Sequence, residues 1–362
     1  MNTREALIAL NLTMEVGGAR LKKLIDHFGS PEAAIGRDCR ELEDAGLAPG
    51  LARKVAGISD GHLARELAEA RRRGVGILTT ADSGYPLNLR NMFDPPPVLY
   101  CRGELRPEDS LAVAIVGSRR ASAYGLSLAK DFARGLAGYR CAVVSGMARG
   151  VDTQAHRGAL AAGGRTVAVM GSGFNRIYPP ENRGLADDIS RQGCVVSEFP
   201  MDAAPLKQNF PRRNRVISGL SLGVLVVEAC RNSGALITAD FALEQGREVF
   251  AVPGSVNSPA SEGTNRLIRG GAVLASRVED IIEEFPFIGA FSGGEEPAGG
   301  NGKKPVGREE ELLYGIISGK EPSLDELARE SGMSVCRLSG LLLKMQLSRM
   351  IKRIPGNRFS RG

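Results

Sequence analysis

The sequence predicts an α/β protein built around a doubly wound parallel sheet, with a helical domain before it and a winged helix after it. Short apolar runs rich in valine and isoleucine recur between about residues 75 and 285, and segments of helical length separate most of them. Near-continuous apolar strands that alternate with helices are typical of a parallel sheet covered on both faces. Ligands of such a sheet bind outside the carboxyl ends of its strands.

Length and composition limit the classes of protein that the chain can represent. With 362 residues it is too long for one ordinary domain. We expect a helical domain over residues 1–72, the α/β domain over 73–285, a flexible linker over 286–307 and a winged helix over 308–362. A net charge of +6 and a pI of about 9.1 favour a polyanionic partner.

Several classes are disfavoured by the same composition. The six cysteines are scattered without a C-x-x-C pair, and three histidines are too few to favour a zinc site. No apolar segment has the length or the flanks of a signal peptide or a membrane span. We therefore expect a cytoplasmic protein without a metal site and without membrane association.

The N-terminal domain alternates helical periodicity with glycine-containing turns at 16–21 and 45–54. Each turn places glycines between helices and basic residues after them, as in a helix-hairpin-helix whose backbone amides approach phosphate. Glycine also ends helices of every kind, and the acids Glu41, Glu43 and Asp44 lie beside the second turn. Both a DNA-binding and a structural interpretation of this domain stay open.

The α/β domain is predicted from seven apolar runs, which we interpret as its strands: 112–116, 141–145, 166–170, 195–197, 222–227, 248–252 and 272–274. Segments of helical length lie between most of them, for example 125–137, 153–162 and 237–245. The loops after the first four strands should meet at one edge of the sheet, and we call this edge the rim: residues 116–120, 145–152, 171–179 and 197–200. Small residues there would let backbone amides approach a ligand, and helix N-termini would favour an anion.

The candidate binding residues in the rim are either small or carry a guanidinium or an aromatic ring. They are Gly117, Ser118, Arg119, Arg149, Gly171, Gly173 and Phe174. The fork of Arg119 is placed to close on a phosphate held by the Gly117 and Ser118 amides. Arg149 and Arg176 add positive charge, so together the four loops predict a phosphate-binding rim.

The most concentrated positive charge lies between residues 205 and 231, where five bases face one acid, Glu228. The bases and their polar or aromatic neighbours are further candidates for anion binding: Lys207, Phe210, Arg212, Arg213, Asn214, Arg215 and Arg231. Charge of one sign beside an apolar strand needs an anionic counterpart, and the planar arginine fork suits phosphate oxygens. Alternatively, these arginines pair with core carboxylates and cap helix ends.

Two kinds of enzyme are disfavoured by missing motifs. No strand–turn–helix segment has G-x-G-x-x-G spacing, and a P-loop is absent, so ordinary NAD or ATP chemistry is not expected and no cofactor is predicted. Asp152 and His156 share one helical face and have Ser145 or Ser118 nearby, which would allow a catalytic triad. Neither serine lies in a G-x-S-x-G elbow, and we expect Asp152 and His156 to shape the loop instead.

The C-terminal unit has the pattern of a winged helix. Residues 286–307 hold seven glycines, typical of a flexible linker. Ser323 and Glu326 have capping-box spacing, apolar residues at 338, 341, 342 and 345 form one helical stripe, and the residues around Pro355 form a predicted two-stranded wing. The last thirty residues contain seven bases and no acid, compatible with a nucleic-acid surface or with a protein-docking domain that has a solvated basic face.

Taken together, these motifs resemble the DprA (Smf) family of DNA-processing proteins. The resemblance rests on the segments 116–119, 145–156, 171–182, 197–200, 210–215, 233–239 and 246–254, and so covers most of the chain. It implies an extended Rossmann-like core, often preceded by a sterile-alpha-motif-like domain and followed by a winged helix.

The resemblance also implies a function. Proteins of this family bind single-stranded DNA, protect incoming strands in natural transformation, help to load the RecA recombinase, act as homodimers through the Rossmann core, and are not enzymes. On matching positions, Arg119 and Lys207 are the implied main strand contacts, with Arg212, Arg213, Arg215 and Arg231 adjacent.

The low aromatic content, 5% with no tryptophan, indicates that contacts to phosphate dominate DNA binding and that an extended stacking surface does not. Phe174, Tyr178 and Phe210 are the aromatic residues near the predicted rim, and Phe210 is expected to anchor its loop in the core.

Two rival functions remain. A nucleotide-processing enzyme of the nucleoside-monophosphate glycohydrolase type would need Glu198 or Asp152 as its carboxylate base. A transcriptional regulator would bind duplex DNA through the winged helix, which is also compatible with single-strand binding by the core.

Overall fold

The computed structural model describes residues 1–285, 288, 307–333, 335–347, 350–354 and 358–361. The predicted linker lies almost wholly outside the described residues, and so does the turn at 355–357 that joins the two strands of the wing.

The N-terminal residues form a small helical domain, in which capping residues begin the helices. Asn2 with Glu5, and Asp38 with Glu41, form capping boxes that satisfy backbone amides at the starts of two helices. The helices are α1 (Thr3–Asn11), α2 (Gly18–Phe28), α3 (Cys39–Asp44), α4 (Pro49–Ala56) and α5 (Asp60–Arg72). Their assignment to a sterile-alpha-motif-like or helix-hairpin-helix-like fold stays a prediction.

Nine strands form the central sheet: β1 (Gly76–Thr79), β2 (Val98–Gly103), β3 (Ala112–Val116), β4 (Ala142–Ser145), β5 (Thr166–Val169), β6 (Cys194–Ser197), β7 (Gly223–Val226), β8 (Glu248–Ala251) and β9 (Val273–Leu274). Their order is β1-β2-β6-β5-β4-β3-β7-β8-β9. The strands β3 to β9 are mutually parallel and include all seven predicted runs, which confirms the doubly wound, mostly parallel fold.

The first two strands correct the expectation of a purely parallel sheet. Strand β1 pairs antiparallel with β2, and β2 pairs antiparallel with β6. No long crossover separates β1 from β2; only a short helix, α6 (Leu87–Arg90), lies between them, and such a connection suits an antiparallel pair.

Helices cover both faces of the sheet, as the apolar strands require. They are α7 (Ala123–Gly138), α8 (Val151–Ala161), α9 (Arg183–Gln192), α10 (Asn209–Leu220), α11 (Gly234–Glu244), α12 (Glu262–Arg269) and α13 (Val278–Glu283). Helices α7, α8 and α13 pack on one face, and α10 and α11 pack on the other. The N-terminal helices share an apolar cluster with α9 and with β5 and β6, so they are joined to the sheet by a continuous core.

A separate apolar cluster holds the C-terminal residues together. The elements are α14 (Arg308–Gly319), α15 (Leu324–Ser331), α16 (Val335–Leu347), β10 (Ile351–Ile354) and β11 (Arg358–Arg361). Ser323 caps α15 and the Glu326 carboxylate accepts from the Ser323 amide, which confirms the predicted capping box. Leu338, Leu341, Leu342 and Met345 are buried, as the helical stripe predicts.

Candidate nucleic-acid interface

The loops of the predicted rim meet at the carboxyl edge of the parallel strands β3 to β7, as expected from the parallel pairing. Arg119 follows β3 and Arg149 follows β4, and both side chains are exposed. A shallow pocket between them is also lined by Tyr178 and Phe210. The rim therefore presents guanidinium groups and aromatic rings together.

The two rings and the two arginines form one array, which we call the aromatic platform: Arg119, Phe210, Tyr178 and Arg149. The ring centroids of Tyr178 and Phe210 are 5.7 Å apart with a tilt of 55°. The guanidinium carbon of Arg119 lies 5.2 Å from the Phe210 centroid, and that of Arg149 lies 6.0 Å from the Tyr178 centroid. Cation–π attraction holds a cation at each end of the ring pair.

The glycines of the rim serve packing of the protein itself, which differs from the predicted reason for them. A Cβ on Gly171 would come within 2.9 Å of the Phe210 ring, and one on Gly117 within 2.7 Å of Val151 Cγ2. On Gly173 it would meet the Pro200 carbonyl oxygen at 2.0 Å, and on Gly146 the Arg213 guanidinium at 2.6 Å. Glycine at these positions lets the ring and the guanidinium sit close to the backbone.

The expected phosphate cradle after β3 is occupied by the protein. The Ser118 amide donates to the Glu228 carbonyl oxygen at 2.8 Å. The Glu228 carboxylate accepts from the Ser122 amide at 2.8 Å, and Ser122 caps α7. The Ser118 amide and the start of α7 therefore bind oxygens of Glu228, and a phosphate contact at Gly117 and Ser118 stays a prediction.

Lys207 lies in the turn before α10, three residues from Phe210, and its side chain is exposed. No ion pair of Lys207 is found among the described residues. Arg231, in the loop after β7, is 74% exposed and lies 4.0 Å from Glu262, at the limit of an ion pair. Arg119, Lys207 and Arg231 are therefore all open to an external anion.

Two of the predicted binding residues on α10, Arg212 and Arg215, bind other parts of the protein. Arg212 Nη2 and Arg215 Nη2 donate to the Glu198 carboxylate at 3.0 and 2.5 Å. Arg212 also donates to the Met14 carbonyl oxygen, and Arg215 to that of Asp94 at 2.5 Å. These arginines pair with a core carboxylate, the alternative that the sequence left open, and a DNA contact of either arginine stays a prediction.

Arg213 and Asn214 are buried, and their contact with a ligand stays a prediction. Arg213 Nη1 donates to the carbonyl oxygens of Gly146 and Val169, and Arg213 Nε donates to Asn214 Oδ1 at 3.2 Å. Burial lowers the pKa of Arg213 to about 10. The guanidinium stabilises the backs of two rim loops and lies at the bottom of the shallow pocket between Arg119 and Arg149.

Phe174 lies away from the aromatic platform. It is 5% exposed, belongs to the core cluster that includes the N-terminal helices, and lies beneath Arg102. The structure does not bring Phe174 together with Arg119, and a contact of Phe174 with DNA stays a prediction.

The residues of the imagined triad are buried and bonded to other groups. Ser145 Oγ donates to the Ile115 carbonyl oxygen at 2.6 Å, and Asp152 accepts from the Ala148 amide at 3.2 Å. His156 Nδ1 contacts Thr166 Oγ1 at 2.7 Å, and burial lowers the pKa of His156 to about 3. Burial also raises the pKa of Asp152. These residues support the rim loops from inside, as expected.

Tyr178 and Glu181 were not among the predicted binding residues, although Tyr178 was noted as an aromatic group near the rim. Glu181 pairs with Arg149, and this ion pair lowers the pKa of the Glu181 carboxyl. The signal for Tyr178 was its place in the loop after β5, which the parallel topology brings to the rim.

The first glycine turn of the N-terminal domain is closed by a carboxylate. Asp94 Oδ1 accepts from the Ala19 amide at 2.9 Å, at the start of α2. An external phosphate would have to displace this carboxylate, so the turn at 16–21 joins the two domains.

Within the described residues, no group of three or more His, Cys, Asp or Glu side chains could hold a metal ion. In the same part of the chain, no helix is long and apolar enough to cross a membrane.

Comparisons with known proteins agree with the fold and the motifs. The chain matches the family model for DNA recombination-mediator protein A over residues 76–286, and that for the DprA winged helix domain over 303–357. Protein Smf of Escherichia coli is 42% identical over 284 residues, which cover 77% of this chain and 76% of that protein. DNA processing protein DprA of Bacillus subtilis is 42% identical over 225 residues, 62% of this chain and 76% of that protein.

Solved structures give the same result. The DprA structure of Streptococcus pneumoniae has a TM-score of 0.69 and 34% identity, and the match covers 78% of this chain and 98% of that one. The DNA processing protein A of Helicobacter pylori, studied for its single-stranded DNA binding mode, has a TM-score of 0.53 and 31% identity over 59% of this chain and 95% of that one. The resemblance drawn from the motifs is confirmed: the chain belongs to the DprA (Smf) family.

Proposed function

We propose that this protein binds single-stranded DNA on the aromatic platform, as a non-catalytic mediator of recombination that protects incoming strands and loads the RecA recombinase. The observation that carries the proposal is the pair of rings, Phe210 and Tyr178, with a guanidinium at each end. Stacking surfaces combined with positive charge suit a flexible strand whose bases are accessible. Membership of a family of DNA recombination mediators supports the same function.

The platform favours a single strand over a duplex for a geometric reason. Phe210 is half-buried and Tyr178 is 36% exposed, so one face or edge of each ring is available at the bottom of a shallow pocket. Bases of a duplex are stacked on each other and cannot reach such rings without unpairing, whereas each unpaired base offers a free π-face.

A non-catalytic role is supported by the state of the two carboxylates that a nucleotide-processing enzyme would need. Glu198 is 2% exposed and accepts hydrogen bonds from two arginines. Asp152 is buried and bonded to the rim backbone. Each carboxylate holds protein groups in place, which is a poor starting point for a general base that must reach a substrate.

We further propose a homodimer formed through the α/β domain. Helix α11 carries apolar side chains outside its buried face, because Leu243 is 61% exposed and Ile237 and Phe241 are half-buried, while Ala239 and Ala242 are fully buried. A helix with apolar residues on both sides needs a second partner.

The winged helix is not included in this proposed DNA interface. Several of its basic side chains bind groups of their own domain: Arg337 pairs with Glu309, Lys344 with Glu310, and Arg361 Nε donates to Ser318 Oγ at 2.5 Å. These contacts favour the protein-docking interpretation, and duplex binding is retained only as an outcome of the test below.

The test is fluorescence anisotropy of a labelled oligo-dT strand, and of a duplex of the same length, across a salt series. We expect strong binding of the strand, and a slope of log affinity against log salt that falls by about 0.7 in each of Arg119→Ala and Lys207→Ala. Phe210→Ala should weaken binding by about 1–3 kcal/mol with an unchanged slope, because it removes stacking and no charge.

Arg120→Ala is the matched control, since Arg120 is an exposed neighbour of Arg119 with no contact to the ring pair among the described residues. Equal affinity for strand and duplex would refute the proposal. Duplex preference that survives in the Arg119, Lys207 and Phe210 variants would move the DNA interface to the winged helix.

A further inference from the structure

A second concave basic site lies outside the rim, where the N-terminal domain meets the sheet. We call it the arginine pocket: Arg73 from the end of α5, Arg102 from β2, Phe174 and Asn175 from the loop after β5, and Arg183 and Asp187 from α9. Its volume is about 330 Å³, within the range of small-molecule sites. The rim loop that carries Tyr178 outwards carries Phe174 into this pocket, so the two sites lie on opposite sides of one loop.

Positive charge in the arginine pocket exceeds the carboxylates available to neutralise it. Arg102 Nη2 donates to Asp187 at 2.9 Å, while Arg102 Nε has no hydrogen-bond partner within the described residues. Arg73 shares Glu69 with Arg72, at 3.2 and 2.6 Å. Three guanidinium groups thus line a wall that contains one carboxylate.

Arg183 is the clearest sign of an external ligand. It stands at the first position of α9 with an exposed side chain, and no ion pair or hydrogen bond of that side chain is found in the described part of the chain. The arginines of α10, by contrast, are each bonded to protein oxygens. An unpaired guanidinium beside two others concentrates positive potential in a concave site.

The chemistry of the walls indicates the class of ligand. Planar guanidinium groups bind phosphate oxygens through paired hydrogen bonds. The remaining wall is apolar and partly aromatic: Phe174 lies 5.8 Å from the Arg102 guanidinium carbon, with Val75 and Ile177 beside it. A phosphate group attached to a compact, partly apolar body satisfies both parts of the pocket.

We propose that the arginine pocket binds the phosphate monoester of a single nucleotide, with Arg183 and Arg102 on the phosphate and the base against the apolar wall. The nucleotide is either free or the 5′-phosphorylated end of a DNA strand, which presents the same chemical group. This site is separate from the aromatic platform and does not depend on strand binding there.

The test is isothermal titration calorimetry of the full-length protein with dTMP, inorganic phosphate and thymidine. We expect dTMP to bind more tightly than phosphate and thymidine to give no measurable heat. Arg183→Ala should weaken dTMP binding about tenfold. Asp187→Asn should strengthen it about threefold, because it removes the carboxylate that repels the phosphate and occupies Arg102.

Two controls locate the site. Arg191→Ala changes an exposed arginine on the same helix that pairs with Asp188, and it should leave dTMP binding unchanged. Arg119→Ala should also leave it unchanged, since Arg119 belongs to the platform. Loss of dTMP binding in Arg119→Ala, equal binding by Arg183→Ala and wild type, or no binding of any phosphate compound would each overturn the proposal.

The source of the nucleotide follows from a second titration, with 5′-phosphorylated and 5′-hydroxyl oligo-dT of equal length. Tighter binding of the phosphorylated strand, lost in Arg183→Ala, identifies the strand end as the ligand. Equal binding of the two strands, together with dTMP binding that depends on Arg183, identifies a free nucleotide. A failure of strand binding on the platform would leave the dTMP result unchanged, so the two proposals fail separately.

Discussion

Replacing Arg215 by methionine separates the two interpretations of the arginine-rich helix α10. Arg215 donates to the Glu198 carboxylate and to the Asp94 carbonyl oxygen, both at 2.5 Å. The side chains of Arg215 and Glu198 are 10% and 2% exposed. Removing one partner of a buried ion pair costs about 3–5 kcal/mol, and since Arg212 still pairs with Glu198, we expect a loss of about 3 kcal/mol.

This loss can be measured as a shift of the unfolding midpoint. For a domain of about 150–250 residues, each kcal/mol moves Tm by about 2–4 °C, so Arg215→Met should lower Tm by about 6–12 °C. Below the unfolding transition, the affinity for oligo-dT and its salt slope should equal those of the wild type. Arg120→Met is the matched control: an exposed arginine whose replacement should change stability by less than about 0.5 kcal/mol.

A different result would show that Arg215 binds DNA. If Arg215→Met keeps the wild-type Tm while the salt slope falls by about 0.7, one phosphate contact has been lost and the buried pair contributes nothing measurable. That outcome would require α10 to rearrange when a strand binds, and would refute the assignment of Arg215 to the protein interior.

Three further predictions concern the support of the rim and the dimer. The folded-state pKa of His156 is about 3, below its ordinary value of 6.5, so the unfolded state takes the proton first as pH falls. Urea unfolding should therefore give a free energy of unfolding about 1.4 kcal/mol lower at pH 5.5 than at pH 7.5, and this loss should be absent in His156→Asn. Gly146→Ala should lower the free energy of unfolding by about 1–3 kcal/mol, because its Cβ crowds the Arg213 guanidinium, whereas Gly138→Ala has open space around it and should not lower it. Equal Tm values for the two variants would contradict this prediction. Leu243→Glu should give a monomer by light scattering, and an unchanged mass would exclude α11 from the dimer.

Much of the fold could be predicted because the signals for it are local. Each parallel strand from β3 to β8 is a short apolar run between helical segments, and the run itself reports burial on both faces. Strand β2 is also apolar, but its antiparallel pairing with β6 joins Tyr100 to Ser197, far apart in the chain. Such pairing has no local signature, so the direction of the first two strands was beyond sequence reasoning.

The candidate site was only partly predictable, for a related reason. Arg119, Arg212 and Arg215 are chemically identical, and their roles are set by which carboxylate the fold brings near. Arg212 reaches Met14 from the other end of the chain and Glu198 from the preceding loop. One local signal existed: Arg212 and Arg215 are three residues apart and share a helical face, which favours a common partner.

The distribution of carboxylates explains why this sheet suits a polymer better than a fixed nucleotide on the rim. In an open α/β sheet, the start of the first crossover helix is the usual place for a phosphate. Here Glu228 occupies the start of α7, and Asp152 accepts a rim amide at the start of α8. The backbone amides at these two positions therefore already bind carboxylates of the protein. The positive charge that is available to a ligand is carried by Arg119, Lys207 and other long side chains. Mobile charges of this kind can follow a flexible phosphodiester chain in many registers, whereas a backbone cradle holds one phosphate in one position. The salt slope should therefore depend on side-chain charge alone, as the Arg119 and Lys207 variants are designed to measure.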